Sequence, residues 1–380
     1  MTTSSAIDAA LEQIDEWLQP RGVGGVGAAV WHGGAIVAER YAGEARQGQP
    51  VDEGTLFALA SVTKPVTAAT VMSLVDEGAI GLDDTAARIV PTFAAGPARG
   101  AEGVDEALEA HRGEVTVRQL LCHTSGLPED MADRKLRLRE QPDLATLTDA
   151  LCQAPLRSMP GSHLHYSNAG YAVLARLAEH LGRDEFWEMT RARILDPLGL
   201  DDIVARPSDA ELERVVHVAD TANAGTAFEA YNSAYWRDLA IPWGGFFGTP
   251  RAAVRFAAAF LPGSPVTAGN PLSAGTIAAM TSDHAGGVPG GVESGKVWWD
   301  HASWGLGWEV KGTKQRHWTG QRTSPETFCH FGQAGTLLWA DPSRDLALAV
   351  FTTRTVTRMW GFILSRWIRL SDALVELTNG

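Results

Sequence analysis

The 380 residues carry 32 Lys and Arg against 45 Asp and Glu, a formal net charge of −13. That balance argues against nucleic acid or another polyanion as a partner, because phosphate binding needs clustered basic side chains and none cluster here. The length exceeds that of a small single core, and the three cysteines (Cys122, Cys152, Cys329) form no CxxC pair; this disfavours a disulfide framework or a structural zinc site and suits a reducing compartment.

The N-terminal stretch MTTSSAIDAALEQIDEWLQP mixes acids into its apolar periodicity and lacks the basic start and continuous apolar core of a secretory signal. No apolar run approaches the ~20 residues that span a bilayer, and no basic amphipathic anchor stands out. The expectation is a cytoplasmic protein without a membrane partner.

In chain order, Ile7, Leu11, Ile14 and Leu18 recur at helical spacing, so a helix is expected over residues 6–18. Two apolar runs broken by Gly33 and Gly34 then read as a hairpin. From about residue 85 to about residue 290 the pattern turns mainly helical, as in VTVRQLL, NAGYAVLARLAEHLG and TPRAAVRFAAAFL, with Gly/Pro-rich joints between. TLLWADPSRDLALAVFTTR is a second hairpin around Asp341-Pro342-Ser343, followed by a C-terminal helix through WGFILSRWIRLSDALVEL. Hairpins at both ends favour an antiparallel sheet, with N- and C-terminal helices covering a face. The predicted fold is therefore α+β in two lobes: a discontinuous sheet lobe of residues 1–84 and 291–380, and an inserted helical lobe of residues 85–290 with a small-molecule site in the cleft between them. No internal repeat or long low-complexity linker stands out.

The stretch ALASVTKPVTAATVMSLVDEG sets Ser61 three residues ahead of Lys64 at the front of an amphipathic helix. A serine hydroxyl needs a base, and a lysine at i+3 lies on the same helix face. That lysine must be neutral, which requires burial or neighbouring positive charge to bring it down from ~10.4. Pro65 fits the first turn, where amide groups lack intrahelical partners. A Ser-x-x-Lys tetrad is common by chance, so two further segments bear the argument. In HYSNAG, Tyr166 and Asn168 flank Ser167 ahead of a helix, where a phenol could relay the serine proton and an amide could bind substrate. The plainer reading makes Asn168 a helix cap and Tyr166 a packing residue. In CHFGQAG, Gly332 follows His330 and Phe331 and permits close backbone approach, so the Gln333 N–H could complete an oxyanion hole with that of Ser61.

SVTK, YSN and HFG in this order, together with HTSGLP, GAIGLDDTAARIVP, PWGGFFGTP and WGLGWEV, resemble the penicillin-recognising serine hydrolases. That group includes class C β-lactamases, D-peptidases and family VIII carboxylesterases. The likeness spans nearly the whole chain. It implies a β-lactamase/transpeptidase-like fold, an acylated Ser61 with Lys64 as base, Tyr166 as proton relay, Asn168 on the substrate amide and His330 with Gly332 in the third motif. No cofactor and no metal are implied.

One departure bears on substrate. Lactamases and peptidases of the group carry Lys-Thr-Gly or His-Thr-Gly in the third motif, whereas Phe331 here replaces the hydroxyl. The favoured substrate is a small ester or amide without a required carboxylate. The alternatives are a D-amino-acid peptidase or weak β-lactamase, an acyltransferase, and a non-catalytic binder. Thirteen tryptophans suggest an apolar pocket, with Trp236, Trp243 and Phe331 as candidate lining; core packing is the competing account for each.

Other signals are set aside. GGVESGKV has the GxxxxGK spacing at Gly290, Gly295 and Lys296, but Val297 stands where a magnesium-binding hydroxyl belongs, so a flexible loop is expected. Ser125 lacks the GxSxG elbow and reads as a structural turn, while His163 and His165 lack a companion ligand. The sequence gives no oligomeric state.

Overall fold

A computed structural model describes residues 3–19, 21–101, 103–130 and 138–378. The chain divides into two compact units, Met1–Thr63 with Leu195–Asn270 and Lys311–Gly380, and Lys64–Ile194 with Pro271–Val310. These bounds differ from the expected 1–84/291–380 and 85–290: residues 195–270 go with the sheet, whereas 64–84 and 291–310 go with the helices.

In the first unit an antiparallel sheet runs in the order Phe328–Gly332, Thr336–Asp341, Leu346–Thr352, Gly25–His32, Ala35–Arg46, Gln49–Pro50. Every residue of Leu346–Thr352 is buried, as is all of Gly25–Trp31. A strand covered on both faces reads as a continuous apolar run rather than an alternation, which is the pattern of LALAVFT. One face takes the N-terminal helix Thr3–Leu11 and the C-terminal helix Trp360–Leu377, which also pack on each other. On that face the Trp339 indole N–H donates to Ser371 Oγ at 3.0 Å.

The opposite face takes the helix Pro250–Ala258. Sequence reading had assigned this segment to the helical lobe. Its Ala252, Ala253, Val254, Phe256, Ala257 and Ala258 are all buried, and alanines of that density let a helix lie close on strands. The first hairpin turns as expected, with Gly33 at φ +60° and Gly34 at φ +85°. Two consecutive left-handed residues define the turn whose twist matches paired strands. The helix expected over 6–18 stops at Leu11 and tightens to a 3₁₀ run over Glu12–Trp17. Leu18 instead forms a parallel bridge with Val23 as the chain turns toward the sheet.

The second unit holds most of the helix Thr63–Asp76, with Val117–Leu121, Leu144–Cys152 and Asn168–Gly182. Asn168–Gly182 is its central helix, buried at Ala169–Ala175, Leu177 and Ala178. A small sheet pairs Leu164–His165 in parallel with Gly290–Val292, which pairs antiparallel with Val297–Trp299. The GGVESGKV stretch, expected to be a flexible loop, is thus the hairpin of this sheet. Its turn brings Lys296 to φ +51°, and a strand follows Lys296 where a phosphate-binding motif needs a helix. All three cysteines are buried free thiols. Among the described residues no helix is long and apolar enough to cross a membrane.

Candidate active site

Ser61 lies in a 3₁₀ turn, Ala60–Val62, that runs directly into the helix Thr63–Asp76. The two units meet in sequence at the first turn of that helix, between Thr63 and Lys64. Ala60 has φ +47°, a left-handed conformation uncommon outside glycine, so the residue before Ser61 holds local strain. Its neighbours in the first unit fix that turn. Leu59 N–H donates to Phe246 O at 2.8 Å, Phe246 N–H to Thr63 Oγ1 at 3.3 Å, and the Thr336 hydroxyl to Leu59 O at 3.0 Å. Trp243 belongs to the same 241–246 loop as Phe246 and is half-buried.

Gly332 ends the strand Phe328–Gly332 against this turn. A Cβ there would stand 2.4 Å from Leu59 O, 2.3 Å from Thr336 Oγ1 and 3.0 Å from Ala60 Cβ. Only glycine fits, which explains the third motif's last letter by packing. Alternation puts His330 on the same strand face as Gly332. His330 is buried, and its Nδ1 lies 2.8 Å from Phe331 O, a spacing at which Nδ1–H donates to that carbonyl. The Gln333 carbonyl accepts from Val356 N–H at 2.9 Å, which anchors the turn after Gly332.

Phe331 takes the other face of the strand. Its ring centroid lies 4.7 Å from Trp318, 5.2 Å from Trp360 and 6.3 Å from Trp367, a cluster against the C-terminal helix. It is half-buried and packs within the sheet unit, on the strand face opposite Gly332. A period of two sends neighbours to opposite faces, so Phe331 and Gly332 cannot share one. Trp236 sits on the short helix Ala234–Asp238 with its ring 5.8 Å from Tyr231. Trp304, Trp308 and Trp318 are buried, whereas Trp298 is the exposed indole at 57%.

In the second unit Lys64 is fully buried. Burial pushes its ammonium down to about 7, against the smaller opposing pull of Asp130 and Glu129. Taking a charge out of water disfavours it, which favours the neutral amine. Its Nζ lies 4.8 Å from the Tyr166 ring centroid and 5.6 Å from that of Tyr171. Burial in turn raises the carboxyls of Glu129 and Asp130 above their ordinary range.

Tyr166 occupies the single residue between the strand Leu164–His165 and the helix cap. Ser167, not Asn168, is that cap: its hydroxyl oxygen accepts from Gly170 N–H at 2.8 Å and its hydroxyl donates to Pro128 O at 2.7 Å. Asn168 is thereby released from capping. Its Nδ2 donates to Asp130 Oδ1 at 2.9 Å and its backbone N–H to Glu129 O at 2.8 Å. Its Oδ1 is buried with no hydrogen-bond partner among the described residues. A buried amide oxygen in that state has acceptor capacity to spare.

Sequence reading missed Glu129, Asp130, Ala60 and His123. Three of them lie in HTSGLPED, which was read as a turn because its place beside SNAG arises only on folding. Ser125 does form such a turn, accepting Leu127 N–H at 3.4 Å.

The family model described as Beta-lactamase matches residues 7–368. Penicillin-binding protein 4 of Amycolatopsis lactamdurans is 31% identical over 269 residues, 69% of this chain and 64% of that protein. Esterase EstB of Burkholderia gladioli is 34% identical over 214 residues, 52% of each. The chain thus spans less than two thirds of the length of these relatives. A penicillin-binding protein homologue from Caulobacter crescentus superposes with a TM-score of 0.75 at 24% identity, covering 99% of this chain and 98% of that one, which shows the fold. With the family model matched over nearly its whole length, the chain belongs to the beta-lactamase family.

Proposed function

We propose that the protein hydrolyses a small ester or amide through an acyl-enzyme on Ser61. The observation that carries this reading is the Lys64 amine, fully buried, brought to about 7 and set against the Tyr166 ring, three residues after Ser61 in one continuous helical run. Neutral Lys64 takes the Ser61 proton as Oγ bonds to the substrate carbonyl carbon. The carbonyl oxygen becomes an oxyanion held by the Ser61 and Gln333 N–H groups, whose charge stabilisation is worth most away from water. Collapse expels the alkoxide or amine, which leaves with the proton passed from Lys64 through the Tyr166 hydroxyl. Water then loses a proton to the same pair and attacks the acyl carbon; the acyl–Oγ bond breaks, Ser61 Oγ takes that proton back, and the acid is freed. Asn168 Oδ1 is the acceptor for a substrate amide N–H.

Two points support an ester or amide over a substrate that must bear a carboxylate. Phe331 supplies no hydroxyl and turns to Trp318 and Trp360. His330 directs Nδ1 to a backbone carbonyl. The likeness to a penicillin-binding protein favours a second reading, a D-amino-acid peptidase, and acyl transfer to an alcohol or amine is a variant of the same chemistry.

The test is mass spectrometry after incubation with an aryl phosphonate or activated ester. A single adduct on Ser61, absent in Ser61→Ala, is expected. No adduct, or an equal one in Ser61→Ala, makes the protein a non-catalytic binder. A panel of short acyl esters, amides and carboxylate-bearing D-amides then ranks the substrates by kcat/KM.

A further inference from the structure

We infer that His123 is the positioning residue for Tyr166, a role that rests on the reading of Tyr166 as proton relay. Both amides that flank Tyr166 end on this one histidine. His165 N–H donates to the His123 carbonyl at 2.8 Å, and Ser167 N–H donates to His123 Nδ1 at 3.0 Å. The N–H of Tyr166 itself goes to Gly291 O at 3.2 Å. The backbone is thus pinned on either side of the phenol and at the phenol-bearing residue.

The imidazole also touches the phenol. Ring centroids of His123 and Tyr166 are 4.6 Å apart, and the His123 ring meets Trp304 edge-on at 4.9 Å and Tyr171 at 5.1 Å. Tyr171 is fixed in turn by its hydroxyl donating to Leu121 O at 3.2 Å. His123 is fully buried and sits at φ +60°. A non-glycine residue in that region holds strain, and the surrounding contacts over-determine it. The conformation aims the carbonyl at residue 165 while the side chain reaches residue 167.

A backbone N–H can only donate, so Nδ1 of His123 is the unprotonated nitrogen and the neutral ring carries its hydrogen on Nε2. An imidazolium would lose the bond to Ser167. The neighbouring residues continue the brace: Pro128 O takes the Ser167 hydroxyl, and Glu129 O and Asp130 Oδ1 take the Asn168 N–H and Nδ2. The stretch 123–130 is therefore a template on which residues 165–168 are laid, with His123 as the member that reaches both sides of the phenol.

The test compares His123→Ala, His123→Asn and Tyr166→Phe in the full-length protein. Asparagine tolerates positive φ and offers Oδ1 near the position of Nδ1, so it keeps the acceptor and drops the ring. His123→Ala is expected to lower kcat about 100-fold with KM changed less than about threefold, the loss typical of a roughly 1 Å misplacement of a reacting group. His123→Asn is expected to recover kcat to within about tenfold of wild type. Equal kcat in the Ala and Asn variants, a loss confined to KM, or wild-type kcat in His123→Ala would overturn the assignment. Nitrogen-15 NMR of the wild-type protein tests it without any variant: an unprotonated Nδ1 is expected, and a protonated one overturns it. Tyr166→Phe separates the two levels. Wild-type turnover there removes the relay and this inference together, whereas an impaired Tyr166→Phe beside an unimpaired His123→Ala overturns only the role of His123.

Discussion

Asp130 receives the side-chain amide of Asn168 at 2.9 Å, and the same carboxylate is the strongest of the charges that oppose the fall of Lys64. One acid therefore holds the Asn168 side chain and partly offsets the fall that burial imposes on Lys64.

The first prediction is a pH profile. In the proposed mechanism only neutral Lys64 accepts the Ser61 proton, so kcat/KM is expected to rise with pH on an acid limb centred at about 7. Asp130→Asn removes an anion that favours the ammonium, which moves that limb to lower pH while the amide contact can persist. Glu129→Gln moves it the same way by less. A profile that stays in place in both variants would take the limb away from Lys64.

The cost of burying Lys64 gives a second. Its folded value, about 7, lies below the 10.5 of an unburied lysine, so the unfolded chain binds more protons between those two pH values. Stability therefore rises with pH across that window, and the penalty is complete below it, at roughly 5 kcal/mol. Lys64→Met is expected to be inactive and to melt higher than wild type at about pH 6, with the difference shrinking toward pH 10. Thermal denaturation at several pH values checks it; a gap that does not vary with pH would contradict the burial account.

Gly332 supports a third. Since its Cβ position is 2.4 Å from Leu59 O, Gly332→Ala must shift the backbone just ahead of Ser61. A stability loss of about 1–3 kcal/mol is expected from the overpacking. Acylation of Ser61 by the phosphonate is expected to slow by more than about tenfold, because the nucleophile and its N–H move together. Stopped-flow acylation and a melting curve separate the two effects.

The cluster around Phe331 supplies the fourth. Phe331→Thr restores the residue type that peptidases of this group carry, yet the position faces Trp318, Trp360 and Trp367. The variant is expected to lose about 2–4 kcal/mol of stability, as large-to-small changes in packed clusters do. It gains no kcat/KM on a carboxylate-bearing D-amide. A gain of tenfold or more on that substrate would place the side chain in the substrate pocket after all.

Sequence alone determined the local pieces: the Ser61 and Lys64 spacing, the hairpin at Gly33 and Gly34, and the helix after Tyr166. These depend on periodicities of two and 3.6 residues and on turn chemistry, which short stretches carry in full. Tertiary structure alone decided what those pieces touch. The burial that lowers Lys64 comes from residues distant in sequence. The helix Pro250–Ala258 covers the sheet because its buried alanines meet strands from both ends of the chain. Phe331 turns to a C-terminal helix more than two dozen residues further along. His123 meets Tyr166 across an intervening stretch of some forty residues, and no periodicity records a contact made by a loop against a loop.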